Sequence, residues 1–326
     1  LESDSNTRRL GSSNTLISPL GLGVWQFANK GGGLAGGYWP EIPFESMVRI
    51  VNISLEGGTN WFDTAQVYGN GNSERNLVRS LRENGREPGD VVIATKWWPL
   101  LKTAANIRKT IGDRIRFLEG FPIDLYQVHQ PYSISSIKAQ MDAMTDLVDK
   151  GKIKGVGVSN FSNSQMIRAH EALESRGLKL LSNQVHYNLI RRKIENNGVM
   201  ESAKELGITI IAYSPLEQGI LTGKFHRNPA LLNRVGFIRK RMFSFGKGKM
   251  EKSRPIIDAI QEIAEVHEAT SSQVALSWLI NYHGDTVVAI PGASKPTHAH
   301  ENVGTLKLAL SRNEMDQLEE MTRDYL

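Results

Sequence analysis

The strongest constraint on how this chain can fold is a helix–strand unit that recurs six times between Phe44 and Tyr213. Over 44–56 apolar residues return with helical spacing (Met47, Val48, Val51, Leu55), Gly57-Gly58 stops the helix, and an apolar strand starts at Trp61. The unit returns with helices over 73–84, 104–118, 135–150, 163–175 and 195–206, which lead into strands over 91–96, 123–129, 153–159, 180–185 and 208–213. These strands are apolar on both faces, and the helices are amphipathic. That combination predicts an α/β fold with a parallel sheet covered on both sides. Strands at 20–25 and 286–290 bring the total to eight, and eight such units close most naturally into a (β/α)8 TIM barrel. An open doubly wound sheet has the same periodicity. A 326-residue chain, 40% hydrophobic, fits one barrel, so a single domain over 1–326 is expected.

The flanking pieces follow from local signals. A hairpin over 8–18, turning at Gly11-Ser12-Ser13-Asn14, precedes the barrel; helices over 255–267 and 271–281 precede its last strand, and a helix over 313–323 ends the chain. Gly31, Gly33 and Gly36 match G-x-G-x-x-G, but Gly37-Tyr38-Trp39-Pro40 follows where a dinucleotide fingerprint needs a helix, so a Rossmann reading is rejected. Between 216 and 254 periodicity is weak, and loops of that length usually serve a site.

Composition removes several classes of chemistry. The chain has no cysteine, which excludes a disulfide scaffold, a thiolate metal site and a cysteine nucleophile, and agrees with a reducing, cytoplasmic setting. No window approaches the roughly 18 apolar residues of a membrane span, so a soluble protein without membrane contact is expected. The chain starts at Leu1 and not Met, which leaves a removed leader and organelle import open. The net charge of +5 is concentrated in Arg234, Arg239, Lys240, Arg241, Lys247, Lys249, Lys252 and Arg254. That run has no helix-turn-helix or RNA-binding signature, so no nucleic-acid partner is expected. No H-E-x-x-H occurs, and His298 and His300, two apart on a helix, face different sides; no metal site is expected.

Three consecutive strands end in an ionisable group: Asp63, Lys96 and His129. In a barrel those ends surround one mouth, and Tyr68, five residues past Asp63, reaches in from its loop. Each of these alone reads most simply as a structural ion pair or a core hydrogen bond. Together they form an acid–base constellation, because a tyrosine with an ordinary pKa of about 10 needs a nearby cation to work near neutrality.

The chain resembles the aldo-keto reductases in Phe62-Asp63-Thr64-Ala65 with Tyr68-Gly69, Ala94-Thr95-Lys96, Asp124-Leu125-Tyr126-Gln127-Val128-His129, Gly155-Val156-Gly157-Val158-Ser159-Asn160-Phe161, Asn183-Gln184-Val185, Tyr213-Ser214-Pro215-Leu216 with Gly219 and Leu221-Thr222-Gly223-Lys224, and Ile290-Pro291-Gly292-Ala293. These stretches run in family order over roughly 8–322. The resemblance implies reversible hydride transfer between a nicotinamide cofactor, usually the 2′-phosphorylated NADP(H), and a small carbonyl substrate. It implies that Tyr68 is the general acid, that Lys96 lowers its pKa, that Asp63 holds Lys96, and that His129 orients the carbonyl. It further implies that Tyr213 stacks on the nicotinamide while Ser159, Asn160 and Gln184 hold its carboxamide. Gly23, Trp25, Asp63, Ser214, Pro215, Leu216 and Gln218 belong to the same cofactor site. The stretch with Gly219, Leu221, Gly223 and Lys224 would wrap the pyrophosphate. Pro291, Gly292, Ser294, Lys295, His298, Glu301 and Asn302 would meet the adenosine end, where His298 departs from the Gln or Arg frequent in relatives.

Trp25, Tyr68, Trp97 and His129 are expected to face the substrate, within an aromatic-rich set that also offers Tyr38, Trp39, Trp98, Tyr132, Phe243 and Phe245 together with Met242. Gln130 replaces a Trp frequent in relatives and makes the pocket more polar. A same-fold regulatory subunit that holds cofactor with slow turnover, as in the potassium-channel beta subunits, has the same four side chains and is the alternative.

Overall fold

The computed structural model describes residues 7–29, 40–234 and 246–326. Eight short parallel strands form the sheet: β3 (Leu22–Gly23), β4 (Trp61–Asp63), β5 (Val92–Trp97), β6 (Leu125–Val128), β7 (Gly155–Ser159), β8 (Leu180–His186), β9 (Thr209–Tyr213) and β10 (Val287–Ala289), each paired with the next in sequence. Parallel bridges Leu20–Ala289 and Gly23–Gly292 join the first of them to the last, so the sheet closes on itself. The structure is therefore a (β/α)8 barrel and not an open doubly wound sheet. Ahead of it, β1 (Arg8–Arg9) and β2 (Leu16–Ile17) make the expected antiparallel hairpin.

The hairpin seals the bottom of the barrel. Leu10 and Ile17 pack with Trp61, Ala94, Leu125, Leu181, Ile211 and Val288, the inward residues of the lowest layer. The Gly11 amide donates to Thr209 Oγ1 at 2.7 Å, and Trp61 Nε1 donates to the Ser18 carbonyl at 2.9 Å. A second, larger apolar cluster fills the space between the sheet and the outer helices. With one end plugged, the layer left open to a ligand is at the C-terminal strand ends.

The outer helices follow the expected periods closely: α1 (Phe44–Glu56), α2 (Asn72–Glu83), α3 (Ala104–Phe117), α4 (Ile137–Asp149), α5 (Asn163–Glu174) and α6 (Val199–Leu206). The last starts four residues later than expected, because the preceding stretch folds into a 3-10 turn, Lys193–Glu195. After a one-turn α7 (Lys224–Arg227) comes α8 (Lys247–Val266), which begins well before the expected Pro255. Pro255 and Glu251, whose carbonyl loses its amide partner to the proline, are both exposed, so water can satisfy that carbonyl. Then come α9 (Ser271–Asn281), α10 (Pro296–Gly304) and α11 (Arg312–Met321). The glycine cluster at 31, 33 and 36, the aromatic residues Tyr38, Trp39, Phe243 and Phe245 with Met242, and the basic residues Arg239, Lys240 and Arg241 lie outside the described residues. No helix among the described residues is long and apolar enough to cross a membrane.

Candidate active site

The strand ends bring Asp63, Lys96, His129 and Tyr68 to one place. Asp63 and Lys96 point inward one layer above the plug, and Lys96 Nζ donates to Asp63 Oδ1 at 2.5 Å and to the Thr64 carbonyl at 2.9 Å. Lys96 is fully buried beneath the cavity floor. Its ammonium lies 5.2 Å from the centre of the Tyr68 ring. Tyr68 leaves β4 through a tight turn in which Gly69, Asn70 and Gly71 all have positive φ, and a Cβ on Gly69 would sit 2.5 Å from the Ala28 carbonyl. Only glycine lets this turn press against the 3-10 turn Trp25–Ala28 and so fix the phenol.

Three rings frame the phenol. Trp25 stacks on it at 5.7 Å, and His129 meets it edge-on at 5.7 Å. Trp98 lies edge-on to the far side of His129 at 5.2 Å. His129 Nδ1 is buried with no hydrogen-bond partner among the described residues. Burial, reinforced by the positive charge on Lys96, pushes the imidazole well below its usual 6.5, so it stays neutral and keeps one N–H to donate. For Tyr68 the balance differs from the sequence expectation. Burial first, and the negative charge on Asp63 second, push the phenol above its ordinary 10, so the net shift is upward even with the Lys96 ammonium close by. The phenol is held as an acid. Burial lowers the Lys96 amine, and Asp63 opposes that shift by charge and by hydrogen bond.

These groups line a cavity of about 1170 Å³ that extends from Trp25 and Trp98 to α9 and α10. That is larger than the roughly 300–1,000 Å³ usual for ligand pockets and suits an extended ligand. At its near end Tyr213 presents a flat ring. The Tyr213 hydroxyl donates to Asn160 Oδ1 at 3.0 Å, Asn160 Nδ2 donates to Ser159 Oγ at 3.0 Å, and Gln184 Nε2 donates to Asp63 Oδ2 at 2.8 Å. A register shift between Val156 and Gly157 leaves Leu181 as an extra residue in β8, so Leu181 fills the plug layer and Gln184 still points into the mouth.

The loop after β9 holds an unusual shape. Ser214, Glu217, Gln218 and Gly219 all have positive φ, and Glu217, fully buried, anchors them by accepting from His186 at 2.8 Å, Asn188 at 3.0 Å and Arg191 at 3.0 Å. Burial alone would raise the Glu217 carboxyl, but these partners outweigh it and hold it at about 2. Gly219 and Lys224 then face the cavity with Ser214, Pro215, Leu216 and Gln218, and the far end is walled by Pro291, Gly292, Ser294, His298, Glu301 and Asn302; Gly23 lines the near end. Ser294 Oγ lies 3.3 Å from His298 Nδ1.

Several expected contacts are corrected. Trp97 does not face the substrate space: it is fully buried in the helix layer and donates through Nε1 to Asn106 Oδ1 at 2.9 Å. Lys96 points inward, so its neighbour must point outward, and Trp98, whose amide donates to Gln66 Oε1 at 3.1 Å, is the tryptophan at the mouth. Leu221 is buried in the core, Gly223 caps α7 behind the wall, and Lys295 caps α10 as an exposed residue outside the cavity lining. Sequence reasoning missed Gln127, Gln26, His186, Arg191 and Arg227. Gln127 was within reach of the strand period, since it sits two residues before His129 on the inward face.

A closed barrel with a buried carboxylate–ammonium pair under a phenol and a neutral imidazole is an arrangement able to do acid–base chemistry on a ligand at the strand ends. A model of the aldo/keto reductase family matches residues 19–323, and the chain belongs to that family of oxidoreductases. It is 36% identical over 309 residues to the uncharacterized oxidoreductase Rv2298 of Mycobacterium tuberculosis, spanning 95% of this chain and 90% of that protein. It is 30% identical over 315 residues to the chloroplastic pyridoxal reductase of Arabidopsis thaliana, spanning 93% and 82%. The solved glycerol dehydrogenase of Gluconobacter oxydans superposes with a TM-score of 0.81 at 28% identity, covering 99% of this chain and 97% of that one.

Proposed function

We propose that the protein reduces aldehydes or ketones to alcohols with NADPH, with Tyr68 as the proton donor. The observation that carries this reading is the Tyr68 phenol at the cavity mouth, with its ring centre 5.2 Å from the ammonium of the buried Asp63–Lys96 pair. When bound, the nicotinamide would supply hydride to the carbonyl carbon. Tyr68 would give its proton to the carbonyl oxygen, and the phenolate left behind is the species that the Lys96 ammonium favours. Asp63 keeps that ammonium charged in a buried place. Neutral His129 donates one N–H to the carbonyl oxygen and so sets its angle to Tyr68. In the reverse direction the phenolate takes the proton back.

The residues present suit the cofactor. Tyr213 offers a ring face, Ser159, Asn160 and Gln184 offer amide-matching groups beside it, and Gly219 lets backbone approach where a Cβ would strike Lys224 at 2.8 Å. Lys224, Arg227, Ser294 and His298 give the far end cationic and hydrogen-bonding groups suited to phosphate, and the exposed Lys295 adds a charge beside them. The pyridoxal reductase and the glycerol dehydrogenase act, by name, on an aldehyde and on an alcohol, the two sides of the proposed reaction. In the test, Tyr68→Phe should bind NADPH with near-normal affinity and lose at least about a hundredfold in turnover on an aldehyde panel. Wild-type rates in that variant remove Tyr68 from the chemistry.

A further inference from the structure

Asp63 has a second set of partners that the acid–base reading does not use. Its Oδ1 takes Lys96, while its Oδ2 accepts from Gln184 Nε2 at 2.8 Å and from Gln127 Nε2 at 3.3 Å. Gln127 Oε1 in turn accepts from Gln184 Nε2 at 3.4 Å. Gln127 is fully buried and Gln184 nearly so, at 3% exposed. A carboxylate can only accept, so the amide nitrogen of Gln184 must face Asp63. Both of its N–H groups are thereby used, one on Asp63 and one on Gln127. The side-chain oxygen of Gln184, Oε1, takes no hydrogen bond from a described residue and is the polar atom left for the cavity, whose wall includes Gln184. Reversing this amide would set oxygen against oxygen at both Asp63 and Gln127.

We infer that Asp63 and Gln127 lock the direction of the Gln184 amide, so that its oxygen and not its nitrogen faces the carboxamide that the nicotinamide reading assigns to it. Gln127 is a positioning residue in this lock, acting through Gln184 without touching the ligand. The inference rests on the nicotinamide reading above. One carboxylate thus serves two ends: it holds the ammonium under the phenol and orients the amide that receives the redox ring.

The test compares two reduced cofactors that differ at one group: NADPH, with a carboxamide, and its 3-acetylpyridine analogue, in which a methyl replaces the NH2. Dissociation constants come from quenching of tryptophan fluorescence, so no turnover is required. Wild type should prefer NADPH by about tenfold or more, the scale of one hydrogen bond lost against a buried acceptor. Asp63→Asn, whose side chain can either donate or accept, should bring the preference to within about twofold, because Gln184 can then reverse. Gln127→Leu should fall between the two. Equal affinities in wild type, or full wild-type preference in Asp63→Asn, overturn the lock; full preference in Gln127→Leu removes Gln127 from it. Failure of wild type to bind either cofactor defeats the nicotinamide reading itself, and with it this inference.

Discussion

The buried pair at the floor of the site gives the most demanding prediction, a double-mutant cycle on Asp63 and Lys96. The two side chains are 2% and 0% exposed and 2.5 Å apart, so removing either partner leaves the other in a low-dielectric place without its counter-charge. Breaking a buried pair in this way costs about 3–5 kcal/mol. In a chain of this length that lowers Tm by roughly 4–7 °C. Lys96→Met and Asp63→Asn should each show a loss of this size at pH 7. The double variant has no buried charge, and the asparagine amide at position 63 retains an acceptor for Gln184; the main deficit is at the Thr64 carbonyl, which loses its lysine donor. It should lie within about 1–3 kcal/mol of wild type. The coupling energy is then at least about 3 kcal/mol, above what exposed pairs give.

The sign of the pH dependence follows from Lys96. Burial holds its folded pKa below the unfolded 10.5, and Asp63→Asn removes both opposing contributions of Asp63 and depresses it further. A depressed group contributes stability above its unfolded value and loses it as pH falls through the folded value. The deficit of Asp63→Asn should therefore shrink as pH rises from 7 toward 10. Urea or thermal melts of the four proteins at two pH values measure all of this. Additive losses, or a deficit that widens with pH, would show that the pair is not a coupled buried unit. A double variant that regains stability but not turnover would separate the chemical role of the pair from its structural one.

Two further outcomes are expected. Glu195 and Glu217 are both held at about 2, where burial would raise them but hydrogen bonds outweigh it, from Arg192 and Tyr187 on the first and from His186 on the second. Both are depressed below the unfolded value of about 4.5, so each contributes stability above that pH, on the order of 3 kcal/mol, and loses it as pH falls toward 2. Glu195→Gln should flatten the acid limb of a stability–pH curve; an unchanged limb would place the acid sensitivity elsewhere. The adjacent tryptophans should separate cleanly: Trp97→Ala costs about 3–5 kcal/mol through the cavity it leaves, while Trp98→Ala stays within about 1 kcal/mol and instead raises KM for apolar carbonyls. Equal losses of Tm in the two variants would contradict the assignment of faces.

The barrel was legible in the chain because its signals are local. Strands apolar on both faces and helices with a 3.6 period leave few architectures, and ionisable residues at Asp63, Lys96 and His129 stand where a barrel puts its mouth. Faces were legible too, wherever the period of two ran unbroken: Lys96 inward requires Trp97 outward, and His129 inward requires Gln127 inward. Tertiary structure alone decided the rest. The extra residue at Leu181 reverses the parity of β8, and without it Asn183 would occupy the inward place of Gln184. The direction of the Tyr68 shift depends on how far the phenol is desolvated and how near Asp63 lies, neither of which a strand end reveals. Glu217 lies 31 and 26 residues from His186 and Arg191 and meets them only because the loop after β9 folds back onto the end of β8. Periodicity reports which way a side chain leaves its own strand; hydrogen bonding and desolvation depend on what other strands bring to meet it.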